Sequence, residues 1–186
     1  LVCTSGTAAA NFFPAIVEAS ESGVPLIALT ADRPPELRNC RAGQTIDQVG
    51  LYGSYPVDQA ELALPESSLD RLRELRKTVG SFCDRSISPR SGPIHLNVPF
   101  RDPLSPLPDE FFENPISDEE WRFFFDGLDS AGKSRLVVDL DLSIYTDTDR
   151  GAIIIGATLA PYGRNWVDNV ARLCAALKWP VLADAL

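Results

Sequence analysis

Thr30-Ala31-Asp32-Arg33-Pro34-Pro35-Glu36-Leu37 is the stretch from which the rest of the chain can be ordered. It follows and partly closes an apolar run, Val24 to Ala31, bounded by Gly23 in front and by Pro34-Pro35 behind. That run is short enough for a strand covered on both faces. Upstream, Leu1-Val2-Cys3 reads as the tail of another buried strand. Between the two, Ala8, Phe12, Ala15, Ile16 and Ala19 recur at the spacing of one helix face, with Gly23 placed as a C-cap. Pro14 interrupts that stripe, deleting a backbone hydrogen bond at a cost of roughly 3 kcal/mol, so the helix should kink or start late. Strand, helix, strand is a β-α-β unit, whose strands run parallel. In open parallel sheets ligands collect outside the carboxyl ends of the strands. Asp32 and Arg33 stand at such an end.

Outward from there the elements alternate again. Thr4-Ser5-Gly6-Thr7 is a small-residue turn whose side chains can cap the first helix or, with its N-terminal N–H groups, hold an anion. Residues 38–56 are polar, contain Gly43, Gly50 and Gly53 and lack a period, which predicts a long functional or connecting loop with at most one helical turn. From Ser67, read as an N-cap with Asp70 three residues on, Leu69, Leu72, Leu75, Val79 and Phe82 mark an amphipathic helix. Gly92-Pro93 opens a further strand, Ile94 to Phe100, after which the first domain ends near residue 102. Residues 103–149 carry Pro103, Pro106, Pro108 and Pro115 among many acids and read as a surface linker, with Trp121 and Phe123 to Phe125 pinning it down. A second β-α-β begins in residues 150–186. Its parts are Ala152 to Ala157 as strand, Trp166, Val170, Leu173 and Leu177 as helix face, and Pro180 to Leu186 as strand. The fold class is α/β.

Composition narrows the partners. A net charge of −9 opposes nucleic acid, whose phosphates select clustered Lys and Arg. No apolar run approaches the roughly 20 residues that span a bilayer, so no membrane segment is expected. Cys3, Cys40, Cys83 and Cys174 form no Cys-x-x-Cys pair and there is one histidine, which leaves zinc without a ligand set and favours reduced thiols in a cytoplasmic protein. The absence of Met and the opening in mid-element fit a piece of a longer chain.

Cys3-Thr4-Ser5-Gly6-Thr7-Ala8, then Thr30 to Leu37, then Gly43-Gln44, together resemble the pyrimidine-binding domain of the SEPHCHC synthases, thiamine-diphosphate carboligases of the menaquinone pathway. The run from Gly92 to Phe100 is similar to the strand that closes this domain in thiamine-diphosphate enzymes generally, and Arg150 to Gly156 is similar to the first strand of their central domain. The octapeptide with a Gln eleven residues beyond its Arg is the specific part; Thr-Ser-Gly at a turn is common. The resemblance implies residues 1–102 as the later part of a pyrimidine domain, 103–149 as a linker and 150–186 as the start of a central domain. It implies an enzyme that decarboxylates 2-oxoglutarate with thiamine diphosphate and Mg²⁺ and adds the succinyl unit to isochorismate. A homodimer or homotetramer follows, because the cofactor in that family lies between subunits.

By the same resemblance Arg33 engages a substrate carboxylate and Gln44 faces the activated cofactor. Gly43 stands where some relatives carry Asn. The activating glutamate and the metal and diphosphate site lie outside the 186 residues, so the piece alone should not turn over. Plainer readings stand beside these. Arg33 can pair with Glu36 on the surface, Gln44 can be a solvated turn residue, and His95 in its apolar strand reads as a hydrogen-bonded core residue rather than a catalyst. Gly156 to Gly163 lacks Gly-x-Gly-x-x-Gly and is assigned no ligand. The rival functions are a different thiamine-diphosphate carboligase or decarboxylase, of the acetohydroxyacid synthase kind, and a non-catalytic α/β binding module.

Overall fold

The structure is a computed structural model that describes residues 1–66, 68–105, 117–126, 150–156 and 164–184. It divides into two compact units, Leu1–Lys133 and Ser134–Leu186.

The first unit is built on a four-stranded, wholly parallel sheet. Its strands are β1 (Val2–Cys3), β2 (Leu26–Asp32), β3 (Asp58–Glu61) and β4 (Pro93–Pro99), in the spatial order β1-β2-β4-β3. The α/β class read from the sequence holds. The predicted helix after β1 splits into α1 (Thr7–Ala10) and α2 (Phe13–Glu21), with Pro14 in the first turn of α2. There a missing N–H costs nothing, which is why the chain restarts its helix at that point. The end of α2 also follows expectation. Ser22 is the C-cap and Gly23 follows at φ 58°, the left-handed conformation that favours glycine.

One strand and one helix start differ from the sequence reading. Asp58–Glu61 forms β3 although its Asp-Gln-Ala-Glu sequence shows no strand signal. It is an edge strand paired only to β4, so polar residues there cost little. The helix predicted from Ser67 is α3 (Leu69–Ile87), but its N-cap position is Ser68, which makes no side-chain capping bond; Ser67 lies outside the described residues.

The sheet's two faces differ in chemistry because register places like parity together. On one face Phe82 of α3 packs with Ile94 and Leu96, flanked by Leu29, Ala60 and Val79. Ile94 and Leu96 are fully buried, each contributing roughly 1.5–3 kcal/mol. On the other face Ile16 of α2, Ala28 and Tyr52 form a second cluster with Phe12, Leu26 and Leu51. Tyr52 is the anchor of the long 38–56 loop. Its hydroxyl donates to the Ala9 carbonyl at 2.7 Å and its ring stands edge-on to His95 at 4.7 Å. Burial pushes that phenol up to about 12.

Within the stretch read as a linker, Asp118–Phe125 is a helix, α4. Ser117 and Glu120 form a reciprocal capping box, a Ser-x-x-Glu signal present in the sequence and passed over because of the surrounding prolines. The second unit holds β5 (Ile153–Ile155), α5 (Arg164–Leu177) and β6 (Val181–Ala183), the two strands pairing in parallel. This is the β-α-β expected there, with strands shorter than predicted; Ala157, Gly163 and Leu186 fall outside the described residues. All four cysteines are free, and no described helix is long and apolar enough to cross a membrane.

Candidate functional site

At the carboxyl ends of the strands, register aligns one row across the sheet: Cys3 with Thr30, Thr30 with Asn97, and Asn97 with Glu61. Three of those four side chains are polar, and Asp32, two residues beyond Thr30, projects to the same face. This is the polar edge over which the 38–56 loop folds.

A continuous hydrogen-bond network occupies it. The Asn97 amide faces carboxylates with its nitrogen, donating to Asp32 Oδ2 at 2.8 Å and Glu61 Oε2 at 3.2 Å. Its oxygen therefore accepts, from the Thr30 hydroxyl at 2.9 Å and from Gln48 Nε2 at 3.1 Å. Because the single Thr30 hydroxyl hydrogen is committed to Asn97, the His95 Nε2 found 2.8 Å from Thr30 Oγ1 must carry a proton and donate it. His95 is 1% exposed, and desolvation pushes its pKa down to about 4, so the ring is neutral. The reading of His95 as a hydrogen-bonded core residue is correct.

Asp32 is 3% exposed and fully engaged. Its Oδ1 accepts from the Arg33 backbone N–H at 2.7 Å, and its Oδ2 accepts from Arg38 Nη2 at 2.8 Å as well as from Asn97. The same Arg38 nitrogen is 2.6 Å from Glu61 Oε2 and donates to the Arg33 carbonyl at 3.3 Å. Arg38 is held above its ordinary pKa, first by the Glu61 hydrogen bond, against desolvation. Its Nε is buried without a partner among the described residues. Arg38 thus clamps two carboxylates and the backbone of Arg33 at once.

Arg33 is half-buried at the mouth of β2. The expected alternative, a surface pair with Glu36, is absent: Glu36 is taken by Arg101 in a two-point contact at 2.5 and 3.2 Å. The Arg33 guanidinium makes no ion pair or hydrogen bond among the described residues. Its backbone is fixed on both sides while its fork is left open, the arrangement a carboxylate ligand requires.

Gln44 is exposed and lies in a turn, as the plainer reading has it, yet its side chain is held in place. It takes φ 59° and its Nε2 donates to Thr4 Oγ1 at 2.9 Å and to the Ser5 carbonyl at 3.1 Å. In return the Ser5 hydroxyl donates to the Gln44 carbonyl at 2.9 Å. The turn and the loop residue are therefore laced together across some forty positions of sequence. This corrects the capping role expected of Ser5 and Thr7. The N-cap of α1 is Gly6, with no side-chain cap, because Ser5 is already committed to Gln44 and Thr7 is within the helix. Gly6 has φ 86° and ψ −148°, a conformation nearly reserved to glycine, and a Cβ there would meet Gln44 Cγ at 3.2 Å. At Gly43 a Cβ would meet nothing within 4 Å, so the absence of a side chain there is not imposed by packing.

Sequence reading missed Gln48, Asn97, Arg38 and Glu61. Asn97 had a usable signal, since it lies two residues from His95 in one strand and must share its face. Gln48 lies four residues after Gln44 in a stretch without periodicity, and Arg38 and Glu61 are ordinary charges until β3 is known. Within the loop itself, Arg38, Asn39, Arg41, Thr45, Ile46 and Asp47 line a cleft of about 320 Å³. No group of three or more His, Cys, Asp or Glu side chains placed to hold a metal occurs among the described residues, so none of them is assigned to Mg²⁺.

No family model matches the chain. Curated relatives match it over its whole length. A 2-succinyl-5-enolpyruvyl-6-hydroxy-3-cyclohexene-1-carboxylate synthase from Synechococcus sp. (strain JA-3-3Ab) is 48% identical over 200 residues, and this chain covers 33% of it. Proteins of the same name from Nostoc sp. and Acaryochloris marina are 49% and 47% identical, with 32% and 33% of their lengths covered. The chain thus belongs, along all of its own length, to the 2-succinyl-5-enolpyruvyl-6-hydroxy-3-cyclohexene-1-carboxylate synthase family, and it spans about a third of the relatives it matches.

Proposed function

We propose that the carboxyl edge of this sheet is one wall of a carboligase active site that joins a succinyl unit from 2-oxoglutarate to isochorismate in menaquinone or phylloquinone biosynthesis. The observation that carries the reading is the meeting of the three resemblance-bearing segments at one sheet edge. Gln44 is bonded to Thr4 and Ser5, while Arg33 leaves β2 with its guanidinium open.

The residues present suit part of a thiamine-diphosphate site. The Gln44 amide oxygen accepts no hydrogen bond among the described residues, and a Cβ on the Gly6 turn would crowd Gln44 at 3.2 Å. When bound, thiamine diphosphate supplies the electron sink for decarboxylating a 2-oxo acid. Arg33 offers a carboxylate two parallel charge-assisted hydrogen bonds and so orients the substrate. Gln44 presents a neutral amide, which holds a reacting group in place without titrating near neutral pH. Arg38 is committed to Asp32 and Glu61, a trio with one negative charge in excess, while Arg33 is left as an open cation at the mouth of β2. In this reading residues 1–102 are a pyrimidine-binding part, 103–149 a linker and 150–186 the start of a central domain. The working enzyme is a cytoplasmic homodimer or homotetramer that also binds Mg²⁺, with the remaining groups supplied by sequence beyond this piece.

Two preparations test it: the purified 186-residue chain, and a full-length protein carrying it. With thiamine diphosphate, Mg²⁺ and 2-oxoglutarate, isochorismate consumption should be seen only with the second. Turnover by the 186-residue chain refutes its incapacity. A full-length protein that prefers a simple 2-oxo acid as acceptor refutes the assigned chemistry.

A further inference from the structure

We infer that Gln48 is a positioning residue that sets the place of Gln44 and of the Thr4-Ser5-Gly6 turn against the sheet; this rests on the role proposed above for Gln44. Gln48 is 1% exposed, and its one amide joins three strand ends. Oε1 accepts from the Gly6 N–H at 2.7 Å, at the exit of β1. Nε2 donates to the Ala31 carbonyl of β2 at 3.0 Å and to Asn97 Oδ1 of β4 at 3.1 Å. The orientation admits no flip, since the Gly6 N–H only donates and the Ala31 carbonyl only accepts. Both amide hydrogens are used.

Gly6 is the shared point. Gln48 holds its N–H from within, while Gln44 packs on its Cα side and bonds its two predecessors from without. The two glutamines are four residues apart and grip the same turn. Gly6 has an unusual backbone conformation, and a turn of that kind persists only where its surroundings fix it. Gln48 is the buried side chain that does so. Removing its amide frees the Gly6 N–H and relaxes the turn to which Gln44 is bonded, so its effect on catalysis passes through Gln44.

The test is a double-mutant cycle in the full-length enzyme, with kcat/KM for carboligation and thermal midpoint recorded for each protein. Gln48→Met should lower kcat/KM by about tenfold or more, yet by less than about twofold in a Gln44→Ala background. A purely structural residue would lower the thermal midpoint in both backgrounds and multiply the losses. If Gln44→Ala is itself harmful and the effects multiply, the inference about Gln48 fails alone. If Gln44→Ala is silent, the role of Gln44 fails and the inference with it. Should Gln48→Met not fold, Gln48→Glu decides. It keeps the acceptor for Gly6 but, when ionised, faces two acceptors, so its activity relative to the native enzyme should rise as acid restores a donor. A ratio independent of pH overturns the inference.

Discussion

Acid should destabilise this fold through one buried imidazole. His95 is neutral, 1% exposed, capped by the Tyr52 ring and donating from Nε2 to Thr30. Its pKa falls from 6.5 to about 4 on folding because burial penalises the charged ring. Between those two values the unfolded chain binds the proton and the folded chain does not, so stability is complete above the unfolded pKa and is lost as pH falls. At pH 5 the unfolded ring is almost wholly protonated and the folded ring almost wholly neutral. The loss relative to pH 7 is then about 2 kcal/mol, rising to about 3 below pH 4, at roughly 1.36 kcal/mol per pKa unit. That is a large share of a stability of about 5–15 kcal/mol.

The chain contains a single histidine, so one imidazole resonance reports the titration without assignment. It should show no midpoint above about pH 5. Urea unfolding at pH 7 and pH 5, native against His95→Gln, should show the native protein losing about 2 kcal/mol more than the variant. A midpoint near 6.5, or an equal pH dependence in both proteins, would refute the burial argument.

Gly6→Ala should cost about 1–3 kcal/mol by chemical unfolding, because an L residue is strained at φ 86° and its Cβ meets Gln44; a neutral result would place Gln44 elsewhere. Arg38→Met should cost about 3 kcal/mol, since it strands Asp32, whose side chain has no solvent exposure, beside Glu61. Urea unfolding measures that cost, and a loss below about 1 kcal/mol would contradict the clamp.

Much of the scaffold was legible because it rests on local signals. The apolar runs of β2 and β4, the stripe of α3 and the break at Pro14 each follow from spacing and backbone chemistry. β3 was not, because a four-residue polar edge strand is specified by its neighbour β4 rather than by its own residues. The site divides in the same way. Arg33 and Gln44 were named from motif resemblance, but their surroundings depend on pairings 39 to 67 positions apart, such as Ser5 with Gln44 and Thr30 with Asn97. Glu36 shows the reverse. Proximity in sequence promised it to Arg33, and the return of β4 to the side of β2 gave it to Arg101 instead.

The central claim is that Arg33, backbone-fixed and guanidinium-open, receives a substrate carboxylate at this edge. The steady-state kinetics of Arg33→Ala in the full-length enzyme test it most directly. Loss of a charge-assisted pair worth about 1.5–3 kcal/mol predicts a fall in kcat/KM for isochorismate of roughly ten- to a hundredfold, with the thermal midpoint unchanged. Native kcat/KM in a folded Arg33→Ala enzyme would contradict it.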